Sequence, residues 1–213
     1  MNCLILSGGT KPEQQILIDY VEWADMVIGV DGAADVFYQY GIVPGILIGD
    51  FDTADIKCVK SLEKRGSKVV RLCIEKDETD TESAVDYALS GGADDMVILG
   101  AIGSRIDHTI SNIWMMVRAD MAGVKCRIID NNNELMVSNK DICLNGNAGQ
   151  TISILPLTGE VCVSATNLKY PLNNLVLGWG SSRGISNVML ESEAKICISG
   201  GYALIVKTFG DNA

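Results

Sequence analysis

Ile46-Leu47-Ile48-Gly49-Asp50-Phe51-Asp52-Thr53 passes within eight residues from an apolar run into paired carboxylates. The aliphatic triplet reads as a short buried strand, and a helical pattern follows near Ala54–Arg65. The same rhythm continues on both sides. Asn2–Leu6 reads as a strand. Pro12–Trp23 reads as a helix opened by proline, with Ile16, Leu17, Tyr20 and Val21 on one stripe. Met26–Val30 is a second strand, followed by a helix near Ala33–Tyr40 that Gly41 ends. Strands at Lys68–Leu72, Met96–Leu99 and Lys125–Ile129 alternate with helices near Thr81–Ser90 and His108–Ala122. Alternating β and α units imply a parallel sheet with helices on both faces.

Three acidic clusters punctuate this rhythm, each after a strand-like run. They are Gly49-Asp50-Phe51-Asp52-Thr53, Lys76-Asp77-Glu78-Thr79-Asp80 and Gly103-Ser104-Arg105-Ile106-Asp107-His108. Asp31, in Val30-Asp31-Gly32-Ala33-Ala34, is a fourth acidic strand end. Two unit charges about 5 Å apart at an effective dielectric of about 20 repel by roughly 3 kcal/mol. A fold that gathers several carboxylates therefore usually holds a cation. In open parallel sheets, ligands bind beyond the carboxyl ends of the strands, so the clusters are expected to converge there.

The chemistry suits Mg²⁺ and phosphate. Asp50 and Asp52, two apart, can project to one side of a turning segment. Mg²⁺ takes one or two carboxylates together with phosphate oxygens and water. Arg105 offers a fork for phosphate oxygens, and the preceding Gly100-Ala101-Ile102-Gly103 leaves backbone amides open to an anion at a helix start. Asp77 and Asp107 are equally placed to cap the helices behind them. His108 stands alone and reads as an ordinary helix histidine. Gly8-Gly9-Thr10-Lys11 after the first strand reads as a turn, with only a vague resemblance to a phosphate loop; no GxxxxGK[ST] loop occurs.

Beyond about residue 138 helical periodicity fades. Short β-like runs appear at Thr151–Leu155, Val161–Ala165, Leu175–Leu177, Val188–Leu190, Lys195–Ile198 and Ala203–Lys207, separated by turn residues. The expected organisation is an α/β, Rossmann-like nucleotide-binding domain over 1–138 and an antiparallel β-sandwich over 139–213, divided within Asn131–Asn147.

The net charge of −10 argues against nucleic-acid binding, while Mg²⁺ still permits a nucleotide substrate. Hydrophobic residues make up 47% of the 213, enough for a substantial core. The seven cysteines are scattered and form no CxxC pair, which fits buried, reduced thiols in the cytoplasm. A single histidine rules out a His-rich zinc site. Neither a signal peptide nor a membrane-length apolar run is expected.

At Asp31-Gly32-Ala33-Ala34, Gly49–Thr53, Lys76–Asp80, Gly100–Asn112 and Ser186-Asn187, the chain resembles the thiamine pyrophosphokinases over essentially its full length. The resemblance implies an α/β ATP domain, a β-sandwich domain and a homodimer with active sites at the subunit interface. It implies transfer of a diphosphate group from ATP to thiamine. Asp50, Asp52 and Asp80 would be the Mg²⁺ ligands, with Asp31 nearby. Lys76, Asp77 and Thr53 would line the nucleotide site, Thr53 standing where the family usually has Ser. Arg105 would hold phosphates and Asp107 would lie beside thiamine; Asp80 and Asp107 are the two candidate proton acceptors. Ser186 and Asn187 would bond the aminopyrimidine. Tyr170 stands where animal members have a stacking Trp, and Tyr can still stack on a cationic ring. Two other readings are a diphosphokinase for a different heterocyclic alcohol, such as a hydroxymethylpterin, and a non-catalytic thiamine sensor.

Overall fold

The computed structural model describes residues 1–73 and 77–209. The chain forms two compact units, Met1–Asn131 and Asn132–Ala213.

In the first unit, strands and helices alternate: β1 (Asn2–Leu6), α1 (Gln14–Trp23), β2 (Met26–Val30), α2 (Ala33–Gln39), β3 (Ile46–Gly49), α3 (Ile56–Lys64), β4 (Lys68–Arg71), α4 (Asp80–Ser90), β5 (Asp95–Leu99), α5 (Ile106–Met121) and β6 (Lys125–Ile129). All pairings among these strands are parallel, in the order β6-β5-β1-β2-β3-β4. The order reverses at β1, which lies between β2 and β5. That reversal is the topological switch point where such sheets bind ligands. Central strands are covered on both faces, so Leu4, Ile5, Leu6, Ile98 and Leu99 are fully buried. Gly41 and Gly123 follow α2 and α5 with φ of 72° and 80°, the left-handed geometry that closes a helix. The helix starts expected at Thr81 and His108 come slightly earlier, at Asp80 and Ile106.

The second unit contains β7 (Asn133–Ser138), β8 (Ile142–Asn145), β9 (Thr151–Pro156), β10 (Glu160–Ala165), β11 (Leu172–Gly178), β12 (Asn187–Val188), β13 (Glu193–Ser199) and β14 (Ala203–Thr208). They form two antiparallel layers, β12-β9-β14-β7 and β11-β10-β13-β8. Ile152, Ile154 and Ile205 of one layer and Val161, Val163 and Ile196 of the other share a single buried cluster. This is the expected sandwich. Two of its strands lie where sequence suggested only a connection. β7 pairs with β14 from Asn133↔Thr208 to Ala203↔Ser138, and β8 pairs with β13. Their short, mixed polar patterns do not separate strand from loop.

All seven cysteines are free, but only Cys3 and Cys126 are buried; Cys73 and Cys143 are exposed. For Cys143, alternation on a half-covered sheet explains the exposure, since it lies beside buried Leu144 and faces the other way. Among the described residues no helix is long and apolar enough to cross a membrane.

Candidate functional site

A cavity of about 680 Å³ opens at the switch point of the first unit. Its walls come from the segments that follow β1, β2, β3 and β5 and from the first turns of α4 and α5. Asp31, Asp50, Thr53, Asp80 and Arg105 all line it. Five of the residues singled out from sequence thus converge at one sheet edge.

The acidic core of the site is built by two adjacent strand ends. Asp31 N–H donates to the Ile48 carbonyl at 2.9 Å, extending the β2–β3 ladder by one residue. Asp31 then turns into the left-handed region, with φ of 46°. Gly49 makes room for that turn, because a Cβ there would sit 3.1 Å from the Asp31 backbone. Phe51 is also left-handed, with φ of 60°, and buries its ring in the core under the Arg71 guanidinium, 5.4 Å from the ring centre. Burying the ring leaves the flanking Asp50 and Asp52 at the surface. The Asp50 Oδ1 accepts from Asp52 N–H at 3.0 Å, which tightens the turn. Carboxylate oxygens of Asp31, Asp50 and Asp52 consequently lie within 4.8 Å of one another.

The close trio contains Asp31, which the resemblance placed only nearby. Asp80 stands apart from the trio, as the first residue of α4 on the same cavity wall. Paired strands hold the ends of β2 and β3 side by side, whereas Asp80 arrives on a helix. Burial pushes the Asp31 carboxyl above the usual carboxylate range; bonds from Thr53 and the Gly32 backbone pull it back, and the charges of Asp52 and Asp80 push it further up. Its Oδ2 accepts from the Thr53 hydroxyl, while Oδ1 is buried without a protein hydrogen-bond partner. Three clustered carboxylates with one buried, unmatched oxygen form a donor set that fits a hard divalent cation such as Mg²⁺.

The opposite wall is mostly backbone. The segments after β1 and β5 run together, with Gly9 N–H donating to the Gly100 carbonyl and Thr10 N–H to that of Ile102, both at 2.7 Å. A Cβ on Gly9 would lie 2.4 Å from the Gly100 oxygen. Gly8 and Gly9, expected as a turn with only a vague phosphate-loop character, therefore form part of the site. Their signal in sequence is only two glycines after a strand. Asn112, buried on α5, donates to the Ala101 carbonyl at 2.8 Å and fixes the segment after β5. The Ser7 and Thr81 hydroxyls bond at 2.8 Å and tie the end of β1 to the start of α4.

The capping expectations resolve differently from the sequence reading. Thr79, not Asp77, caps α4 by accepting from Glu82 N–H at 3.1 Å. Arg105, not Asp107, occupies the N-cap position of α5, and its side chain makes no capping bond. Instead its guanidinium pairs with Asp107 through bonds of 2.6 and 3.3 Å. That pairing raises Arg105 further and holds the Asp107 carboxyl below its usual range. His108, read as an ordinary helix residue, also lines the cavity. Asp77 is exposed and is not part of the lining. Lys76 lies outside the described residues.

In the second unit, Tyr170 is 56% exposed, whereas Asn187 is only 5% exposed. Asn187 Oδ1 accepts from Tyr170 N–H at 3.0 Å and Val188 N–H at 2.9 Å, and its Nδ2 donates to the Tyr170 carbonyl at 2.7 Å. Ser186 is exposed in a left-handed turn, with φ of 59°, and its N–H donates to Ser153 Oγ.

A doubly wound parallel sheet with an acid-lined cavity at its switch point defines the class: an α/β protein of the nucleotide-binding type, joined to a β-sandwich. The comparisons then name the family. Residues 17–128 match the thiamin pyrophosphokinase catalytic domain, and residues 137–202 match the thiamin pyrophosphokinase vitamin B1 binding domain. The chain is 30% identical over 208 residues to the thiamine pyrophosphokinase of Bacillus subtilis, covering 96% of this chain and 97% of that protein. It is similar to the crystal structure of the B. subtilis thiamine pyrophosphokinase, with a TM-score of 0.86 at 26% identity, over 99% of this chain and 100% of that one. The Geobacillus thermodenitrificans structure gives a TM-score of 0.85 at 26% identity, over 100% and 99% of the two chains. The chain belongs to the thiamin pyrophosphokinase family.

Proposed function

We propose that the protein transfers a diphosphate group from ATP to the hydroxyethyl oxygen of thiamine, giving thiamine diphosphate and AMP. It is an ATP:thiamine diphosphotransferase. One observation carries this reading: the catalytic and the vitamin B1 binding models both match, in order, within one chain.

In this proposal the first unit holds ATP and Mg²⁺ and the second holds thiamine. Asp31, Asp50 and Asp52 would hold Mg²⁺, with Asp80 beside them. A cation there supplies charge neutralisation for the phosphate oxygens. Thr53 orients the Asp31 carboxylate through its hydroxyl. Arg105 is proposed to hold phosphate oxygens, and Asp107 to aim its guanidinium. The uncapped start of α5 adds a favourable end for negative charge. The attacking alcohol must lose a proton. Both oxygens of the Asp107 carboxylate are engaged by Arg105, through bonds of 3.3 and 2.6 Å, so we assign proton acceptance to Asp80. Tyr170 would stack on thiamine, with exposed Ser186 beside it in that pocket. We further propose a cytoplasmic homodimer with active sites at the subunit interface; light scattering reads the dimer.

The deciding experiment combines the protein with ATP, Mg²⁺ and thiamine and quantifies AMP and thiamine diphosphate. Equal formation of both supports the assignment. AMP formed only with a hydroxymethylpterin would point to the other alcohol, and thiamine binding without turnover would indicate a sensor.

A further inference from the structure

The bonding of Asn187 does not match the role expected of it. A residue that recognises a ligand ring should present its amide to solvent. Asn187 is 5% exposed, and both ends of its amide are engaged with one neighbouring residue. Oδ1 accepts from Tyr170 N–H at 3.0 Å, and Nδ2 donates to the Tyr170 carbonyl at 2.7 Å. A side-chain amide has the donor and acceptor of a peptide group, so this pair reproduces the two-point pairing of antiparallel strands.

The surrounding chain shows why a side chain is needed there. Residues 168–170 run alongside 187–189: Leu168 forms a bridge with Met189, and Lys169 N–H donates to the Val188 carbonyl at 2.9 Å. The next residue, Pro171, has no N–H, so the ladder cannot continue through it. At Tyr170 the partner strand contributes a side chain instead of backbone. Leu168 and Leu172 on either side are 6% and 4% exposed, yet Tyr170 is 56% exposed. The residue is held from behind by its backbone while its ring projects outward.

We infer that Asn187 is a positioning residue that acts through Tyr170, clamping its backbone so that the ring is pre-set as the stacking surface for the acceptor. The inference rests on the reading of Tyr170 as the surface that stacks on thiamine. An aromatic platform fixed before binding loses less freedom when the ligand arrives. Asn187 therefore contributes to thiamine affinity and leaves ATP handling alone.

The test is a double-mutant cycle with steady-state kinetics for each substrate. Asn187→Ala should raise KM for thiamine by about tenfold, with kcat and KM for ATP nearly unchanged, as for loss of uniform binding. Tyr170→Ala should raise KM for thiamine similarly. The double variant should match Tyr170→Ala alone, because the clamp has nothing left to position. If Asn187→Ala adds its full effect on top of Tyr170→Ala, the positioning role is overturned. If Tyr170→Ala leaves KM for thiamine unchanged, the stacking reading itself fails. Should Asn187→Ala not fold, Asn187→Asp keeps the acceptor but replaces the donor to the Tyr170 carbonyl with a charged oxygen that repels it. A rise in KM for thiamine that vanishes in the Tyr170→Ala background then supports the clamp, and an unchanged KM overturns it.

Discussion

The Thr53 hydroxyl donates to one oxygen of the Asp31 carboxylate, and the other oxygen is buried with no protein hydrogen-bond partner. Half of this carboxylate is served by the fold and half is left for something else. Burial raises the Asp31 carboxyl above its ordinary value of 3.8. The folded state thus binds this proton more tightly than the unfolded chain does. Stability then declines as pH rises from the ordinary value through the raised one, and the penalty is constant above both. In metal-free protein at neutral pH, Asp31→Asn should therefore melt at a higher temperature than the parent. The gap should close toward pH 4, the ordinary carboxylate range. Mg²⁺ should raise the melting temperature of the parent more than that of the variant. Thermal melts across pH, with EDTA or Mg²⁺, check both statements; a lower melting temperature for the variant at pH 7 contradicts them.

Asp50→Asn and Asp52→Asn should each lower kcat by about 10²-fold, equivalent to about 3 kcal/mol, through weaker metal binding. The loss should be partly recovered at high Mg²⁺, while the melting temperature without metal stays level or rises. Kinetics over a Mg²⁺ titration read this directly. Near-normal turnover of Asp52→Asn at low Mg²⁺ would remove it from the metal site.

The two glycines after β1 should behave differently. Gly9→Ala places a Cβ 2.4 and 2.6 Å from two backbone oxygens, and backbone cannot step aside as a flexible side chain can. It should cost about 1–3 kcal/mol in urea unfolding. Gly8→Ala meets nothing within 4 Å and should leave stability nearly unchanged.

Arg105→Gln should leave the melting temperature unchanged, since its pair with Asp107 is solvent-exposed and such pairs add little to stability. Turnover should nevertheless fall by about 10²-fold or more as a phosphate-directed charge is lost. A variant that loses stability and keeps activity would make the pair structural.

Asn112→Ala removes the donor that holds the Ala101 carbonyl in a buried position. An unmatched buried carbonyl costs about 1–3 kcal/mol. The segment after β5 should loosen and KM for ATP rise, with KM for thiamine unaffected. Denaturant melts and substrate titrations test the two parts separately.

Legibility from sequence followed the physical carrier of each feature. The βα series was readable because strands buried on both faces are continuous apolar runs, as in Leu4–Leu6 and Ile98–Leu99. Asp31, Asp50 and Asp80 were readable because a carboxylate at a strand end or loop is conspicuous. Their grouping was not, since it depends on β2 and β3 being neighbours and on two left-handed turns, at Asp31 and Phe51. Gly8 and Gly9 passed as a turn because a wall made of peptide groups has no side-chain signature. Asn187 is legible as a residue, but the three bonds its amide makes emerge only when Tyr170 lies beside it. The strands β7 and β8 are not legible in sequence, because their patterns become regular only once β14 and β13 pair with them.

The contact between the segments after β1 and β5 also bears on inhibitor design. A compound that presses against Gly9 and Gly100 grips main chain on that side of the cavity. No substitution can delete a peptide bond from that wall. The remaining escape is to replace a glycine, and a Cβ on Gly9 or Gly100 would lie 2.4 Å from the opposing backbone oxygen. Resistance arising there would come with impaired folding. Compounds that depend on the exposed Arg105 and Asp107 side chains face no such barrier.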